Sequence, residues 1–453
     1  MRVAVVGLGY VGLVTGVCLA DRGHDVTGVD LDEGRVRSIS EGRAPIFEVG
    51  LDDLLARTVG NGFRATTDLT RAVASADVTM IAVGTPFDGR QIDLGAVRAA
   101  TRAIGEALRE HDGFPVVVVK STVVPGTARD VVRPALEEAS GRRVGVDVGL
   151  GVNPEFLTEG RAVEDFMQPD RLVLGADDDR TLERLEELYS VFPDVPRVRT
   201  TPTAAETIKY ASNAMLAAMI SFSNELADLC TAVGDADVVD VMRGLHSSMY
   251  LAVGGKRAPI TSFLEAGCGF GGSCLPKDVS ALVAHGEALG RPMPVLRAVL
   301  DVNERRADEV MAILGRHLPS LEGRRVTVLG LAFKPDTDDV RESPAIPIVD
   351  RLLEAGAAVR IHDPVVSELP EALPADRLEL TSDLRSAVAG SDAVVLVTRW
   401  AQYPNELPDV FAGLAEQPVL VDGRRVIAPG RVQRYDGIGL AADRVASVPR
   451  GRD

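Results

Sequence analysis

Residues 2 to 30 restrict this chain to a narrow group of folds. Arg2 to Val6 is a short apolar run, Gly7-Leu8-Gly9-Tyr10-Val11-Gly12 follows at once, an alanine- and valine-rich helical pattern comes next, and Asp25 to Val29 reads as a second strand ending at Asp30. Strand, glycine turn, helix, strand, acid is the arrangement of a dinucleotide-binding βαβ unit. The glycines permit the tight turn and let the backbone approach a pyrophosphate, and the helix N-terminus attracts the phosphates. Gly7, Gly9, Tyr10, Val11 and Gly12 are therefore expected at the cofactor. Asp30 is expected to accept hydrogen bonds from the adenosine ribose and to repel a 2′-phosphate, which favours NAD over NADP. The bare glycine pattern matches often by chance; its flanking strand, helix and acid make the cofactor reading specific.

At 453 residues the chain predicts about three domains. Abundant alanine, valine and glycine, with 46% hydrophobic but only 4% aromatic residues, fit an α/β enzyme. No stretch reads as a membrane span, and a strand beginning at residue 2 predicts no secretory leader, so a cytoplasmic location is expected. Cys18, Cys230, Cys268 and Cys274 lack paired metal spacing, which predicts a reducing compartment and no metal. With 49 basic against 66 acidic side chains the formal charge is −17, which argues against a nucleic-acid or anionic-membrane partner. An anionic ligand would need local cations and helix N-termini.

Further strands are predicted at Val78 to Val83, Val116 to Val119 and Val146 to Leu150, each ending in a polar loop: 84 to 86, 121 to 127 and 153 to 160. In an open parallel sheet such carboxyl-end loops line the ligand crevice. A helix free of proline and glycine is predicted from near Ala204 past Leu229, with Lys209 and Asn213 one turn apart on one face. Its length suits a connecting spine and a subunit contact. From Arg325 a second α/β unit begins, with strands at Val326 to Gly330, Ala358 to Ile361, Ala393 to Val397 and Pro418 to Val421. Its first turn, Gly330-Leu331-Ala332-Phe333-Lys334-Pro335, lacks the second and third glycines and is not expected to hold a full dinucleotide. The fold expected is α/β, with two Rossmann-like doubly wound domains (1–202 and 316–453) joined by a long central helix and a small helical domain (203–315).

Gly269-Phe270-Gly271-Gly272-Ser273-Cys274-Leu275-Pro276-Lys277-Asp278 sets one thiol among glycines, with a lysine and a carboxylate three and four residues on. Glycines allow close approach of a ligand, and a nearby cation favours thiolate over thiol. An isolated cysteine in a turn is more often a small buried residue; the other motifs shift this one toward a nucleophile.

In this order, GLGYVG, GTP, STVVPGT, NPEFLTEG, the Lys209/Asn213 helix, GFGGSCLPKD and FKPDTDDVRESP resemble the UDP-glucose/GDP-mannose dehydrogenase family over nearly the whole chain, up to Asp422-Gly423-Arg424-Arg425-Val426. The resemblance implies NAD-dependent, four-electron oxidation of a nucleotide sugar's primary alcohol to a carboxylate. It implies that Cys274 is the nucleophile, with Lys209, Asn213, Asp278, Thr122 and Glu155 around the reacting carbon. Capture of the intermediate aldehyde as a thiohemiacetal makes a second hydride available and leaves a thioester for hydrolysis. For NAD it adds Thr85, Thr122, Glu159 and Arg341. For the sugar nucleotide it implies Phe156, Leu157, Thr158, Glu159, Lys209, Asn213, Phe263, Leu264, Gly271, Lys334 and Arg424. Many members carry a compact arginine-containing segment before the cysteine loop, whose arginine reaches a neighbouring subunit's substrate. The corresponding stretch here departs from that pattern and offers Arg257 or Lys256. A homodimer or higher assembly is implied.

UDP-glucose is the first choice of substrate on the likeness of EDFMQPDRLVLG; SCLPKDVSAL is shared with GDP-mannose enzymes, and GDP-mannose and UDP-N-acetylhexosamines stay open. Two rival readings compete. A two-electron alcohol dehydrogenase of the β-hydroxyacid type would not need Cys274. A nucleotide-sugar-binding or redox-sensing protein would use Cys274 as an oxidisable switch.

Overall fold

The computed structural model describes residues 1–447, so the last six residues of the expected C-terminal domain lie outside the described residues. The chain divides into two compact units, Met1–Ser212 and Asn213–Asp453.

In the first unit β1 (Arg2–Val6), β2 (Asp25–Val29), β3 (Phe63–Thr66), β4 (Val78–Ile81), β5 (Val116–Val119), β6 (Gly149–Val152), β7 (Leu172–Ala176) and β8 (Arg197–Thr200) form one sheet. Its order is β3-β2-β1-β4-β5-β6-β7-β8. All pairs are parallel except β6 with β7. The period-two alternation of β1 sends Val3 and Val5 into one core with Leu13 and Val17, and Ala4 and Val6 into the opposite core with Ile81, Val97 and Ile104. Strand order reverses between β1 and β4, and the crevice at their carboxyl ends is the place where open α/β sheets bind ligands.

The strand expected at 146 to 150 runs instead from Gly149 to Val152, because Arg143 to Val148 fold into a turn closed by Gly145 N–H to the Val148 carbonyl at 2.8 Å. β3, β7 and β8 were not anticipated; in β8 the sequence RVRT offers one apolar residue.

The second unit opens with helices and a short hairpin, β9 (Ala252–Val253) with β10 (Lys256–Arg257). Then β11 (Arg325–Leu329), β12 (Ala358–His362), β13 (Leu378–Thr381), β14 (Ala393–Leu396), β15 (Val419–Asp422) and β16 (Tyr435–Gly437) form an all-parallel sheet ordered β13-β12-β11-β14-β15-β16. The four strands expected here are present within a residue at each end. The acid that ends β12 is already committed: Asp363 accepts from Leu331, Ala332, Val365 and Val366 N–H and from Trp400 Nε1, all at 2.8 to 3.1 Å. Asp363 is also fully buried, whereas the Asp30 side chain keeps 10% of its surface exposed, so this turn offers no ribose acceptor like that of the first.

The long helix runs from Pro202 to Val233 and carries the chain from one unit into the other. It corrects one expectation, since it is long and apolar enough to cross a membrane by length and composition. Its polar side chains have partners within the protein: Glu206 accepts from Gly126 and Ala128 N–H, Ser221 donates to the Val299 carbonyl, and Asn224 accepts from Gly267 N–H.

Candidate active site

At the first glycine turn, Gly7 has φ +96°, and a Cβ on Gly12 would stand 1.8 Å from the Gly7 carbonyl oxygen, so both positions require glycine. A Cβ on Gly9 would meet nothing within 4 Å. That open space, ahead of the helix Tyr10–Asp21 and without a side-chain cap, fits a pyrophosphate. Val11 is half-buried in the first helical turn. Asp30 accepts from Leu8 N–H at 2.8 Å, Asp32 N–H at 3.0 Å and Arg35 Nη1 at 3.1 Å. Burial opposes its ionisation, but these bonds prevail and hold the carboxyl below its ordinary range, so an anion stands where a ribose diol would be read.

Tyr10 is pinned by a residue that sequence reasoning missed. Its hydroxyl donates to the buried Glu48, whose carboxylate also accepts from Gly160 N–H at 2.7 Å and Ala162 N–H at 2.9 Å. Glu48 thereby ties the glycine turn to the loop 154 to 160, within the first unit. Thr85 donates from Oγ1 to the Thr122 carbonyl at 2.7 Å, joining two further carboxyl-end loops.

Glu155 follows β6 and forms a buried ion pair with Lys209 at 2.9 Å, and it accepts from Leu157 N–H at 2.7 Å. Burial would raise its pKa; the Lys209 charge and hydrogen bond, the Leu157 amide and the Lys120 charge together hold it below the usual carboxylate range. The Phe156 ring lies under Arg171 at 3.9 Å and 5.6 Å from Lys209 Nζ. Thr158 N–H donates to Asp165 at 2.9 Å; Leu157 and Glu159 are half-buried beside it. Glu206, one turn before Lys209, is raised to about 7 by burial despite accepting from two amides.

In the second unit Asn213 Nδ2 donates to Asp278 Oδ2 at 2.6 Å, and Lys277 Nζ pairs with Asp278 Oδ1 at 2.5 Å. Asp278 N–H donates to the Cys274 carbonyl at 2.9 Å, closing the first turn of the helix Leu275–Ala288. Cys274 is the N-cap of that helix and exposed, with Sγ 3.6 Å from Ser273 Oγ. A helix N-terminus is a position that favours a thiolate over a thiol in general. Cys18, Cys230 and Cys268 are buried, and burial pushes all three thiols up, Cys18 to about 12. The glycines before Cys274 are required sterically: a Cβ on Gly271 would stand 2.1 Å from the Glu342 carbonyl oxygen, and one on Gly272 2.6 Å from the Phe333 ring.

Lys334 Nζ lies 5.7 Å from the Phe333 ring centroid, and Arg341 chelates Asp339 at 2.6 to 3.0 Å while its carbonyl accepts from Gly272 N–H. Phe263 is half-buried and Leu264 buried. A cavity of about 530 Å³ is lined by Arg243, Arg257, Arg399, Arg424 and Arg425 together with Glu265. Arg257 and Arg399 both pair with Glu265, and Arg424 donates to the Val397 and Gly269 carbonyls. Lys256 is exposed on the hairpin. Among the described residues no group of three or more His, Cys, Asp or Glu side chains is placed to hold a metal.

The family profiles decide what this arrangement is. The UDP-glucose/GDP-mannose dehydrogenase NAD binding domain matches residues 1–193, the central domain 203–305 and the UDP binding domain 327–429. The chain belongs to the UDP-glucose/GDP-mannose dehydrogenase family. It is an NAD-dependent nucleotide-sugar 6-dehydrogenase. The UDP-glucose 6-dehydrogenase of Haloferax volcanii is 42% identical over 444 residues, covering 97% of this chain and all of that one. The GDP-mannose 6-dehydrogenase of Pseudomonas aeruginosa is 38% identical over 413 residues, covering 87% of this chain and 91% of that one. A solved UDP-glucose dehydrogenase from Pyrobaculum islandicum is 40% identical with a TM-score of 0.88, covering 97% of this chain and 98% of that chain.

Proposed function

We propose that this dehydrogenase oxidises C6 of UDP-glucose to the carboxylate in two successive oxidations that share one covalent intermediate. The observation that carries the reading is Cys274, the one exposed thiol among the described residues, at a helix N-terminus one turn from the buried Asn213–Asp278 pair and its half-buried partner Lys277. Gly7, Gly9, Tyr10, Val11, Gly12, Asp30, Thr85, Thr122, Glu159 and Arg341 would hold NAD, which would supply the hydride acceptor for each oxidation.

In the first, Asp278 and Lys209 order the water or amine that removes the C6 hydroxyl proton as the C6 hydride departs, leaving an aldehyde. Cys274 thiolate then adds to that carbonyl, and the oxyanion is met by Lys209 and Asn213. Loss of the second C6 hydride turns the thiohemiacetal into a thioester. Glu155 takes a proton from water as it attacks, the C–S bond breaks, and Cys274 leaves as thiolate. The loop 156 to 159, Phe263, Leu264, Gly271 and Lys334 position the sugar. The arginine-lined cavity, with Arg257 and Arg424, takes the anionic nucleotide end.

The functional division is 1–202 for NAD, 203–315 for assembly and the cysteine loop, and 316–453 for the nucleotide. Met215, Phe222 and Leu229 recur every seven residues along the long helix and are about half exposed, and a second copy of the chain is the proposed cover. A cytoplasmic location and a role in making uronate for polysaccharides complete the reading. The test is kcat/KM for UDP-glucose, GDP-mannose and UDP-N-acetylglucosamine with NAD. UDP-glucose should lead by at least tenfold, roughly what a few contacts to the base or to the sugar's C2 substituent supply; a lead by another sugar reassigns the substrate.

A further inference from the structure

Lys120 follows the four buried valines of β5 and is itself 4% exposed. Its Nζ donates to Asn153 Oδ1 at 2.8 Å. The same oxygen accepts from the Tyr189 hydroxyl at 2.5 Å, and Asn153 Nδ2 donates to the Val173 carbonyl at 2.9 Å, which fixes the amide's orientation. Two residues beyond Asn153 stands Glu155 in its ion pair with Lys209. An ammonium is a costly way to hold an asparagine that Tyr189 already holds. Burial lowers the Lys120 pKa to about 8; the Glu155 charge opposes that fall and the Lys209 charge adds to it. Within the first unit the charges acting on Glu155 are Lys209 from the long helix and Lys120, directly after β5, while Arg171 stacks on the neighbouring Phe156. Tyr189 is neutral, its pKa pushed up by burial.

We propose that Lys120 is a positioning residue of the reaction. It acts on the Glu155–Lys209 pair from the buried side, through Asn153, which holds the turn carrying Glu155, and through its own charge, which keeps Glu155 in the carboxylate form. The proposal rests on the role given to Glu155 in thioester hydrolysis. It concerns a residue that is buried and bonded to Asn153, and that acts through Glu155 rather than on a reacting atom.

The test compares Lys120→Met, Lys120→Arg and Glu155→Gln as full-length enzymes, with NAD and the sugar that turns over best. Lys120→Met should keep its KM values within about twofold and its thermal transition, while kcat falls about tenfold or more and thioester accumulates on Cys274 in quenched samples read by mass spectrometry. Loss of one nearby cation raises the Glu155 pKa, so the acid limb of the kcat profile should move up by about one pH unit. Lys120→Arg should leave that limb in place. Unchanged kcat and acid limb in Lys120→Met overturn the proposal, as does the same limb shift in Lys120→Arg, which would make the effect one of shape. If Glu155→Gln keeps wild-type kcat, the Glu155 role and this proposal fall together. If Glu155→Gln is impaired while Lys120→Met is not, only this proposal falls.

Discussion

Lys120→Met should cost the fold little, even though it removes a buried hydrogen bond. In the folded protein the Lys120 pKa falls from its ordinary 10.5 to about 8. At about 1.4 kcal/mol per pH unit, that fall is a penalty of roughly 3 kcal/mol on holding the charged form. The sign follows from linkage: between pH 8 and 10.5 the unfolded chain binds more protons than the folded one, so wild-type stability rises across that window. Below pH 8 the penalty is present in full. Methionine fills a similar unbranched volume without charge. Against the relief stands the lost charge-assisted bond to Asn153, about 1.5 to 3 kcal/mol; Asn153 Oδ1 still accepts from Tyr189 and is not orphaned. The terms nearly cancel at pH 7. For a unit of this size, at about 2 to 4 °C per kcal/mol, the transition should stay within about 6 °C of wild type. Lys209→Met, which breaks the buried pair with Glu155, should instead cost about 3 to 5 kcal/mol and lower it by roughly 6 to 20 °C. Thermal melts followed by circular dichroism at pH 7 and pH 10 read both effects. Relative to wild type, Lys120→Met should be less stable at pH 10 than at pH 7. A fall at pH 7 as large as that of Lys209→Met, or a difference indifferent to pH, refutes the reasoning.

Cys274→Ser should fold normally and yield at most one NADH per sugar, and iodoacetamide on the native protein should label Cys274 alone, with Cys18, Cys230 and Cys268 labelled only after denaturation; peptide mass spectrometry reads this. Gly9→Ala should melt like wild type yet bind NAD about tenfold more weakly in a fluorescence titration, because its Cβ takes ligand space. Gly12→Ala, whose Cβ meets a carbonyl at 1.8 Å, should lose several degrees of stability as well. Asp278→Asn should lower kcat by about 100-fold with little change in KM for the sugar. Phe222→Glu should shift the mass measured by light scattering toward one chain, since a carboxylate would enter the exposed stripe of the long helix.

The two sheets were legible because their central strands are short, valine-rich and almost wholly apolar, as strands covered on both faces are. The edge strands β3, β8 and β13 were not, since half-covered positions such as those of Arg197, Val198 and Arg199 carry no apolar pattern. Site residues that sit in short motifs were legible for a steric reason: Gly12, Gly271 and Gly272 stand where a Cβ would strike carbonyl or ring atoms. Lys120 and Glu48 were missed because their roles arise from long-range contacts, to residues 33 and more than 100 positions away. The one local signal for Lys120 was a lone charge directly after four valines. The membrane-like texture of the long helix is masked in the sequence by Glu206, Lys209 and Asn213, which interrupt its apolar positions.

The most direct test of the account is NADH formed per nucleotide sugar consumed, run to completion with limiting UDP-glucose and excess NAD. Two equivalents with UDP-glucuronate as product are predicted. One equivalent, with an aldehyde or ketone as product, would contradict the covalent four-electron reaction at Cys274.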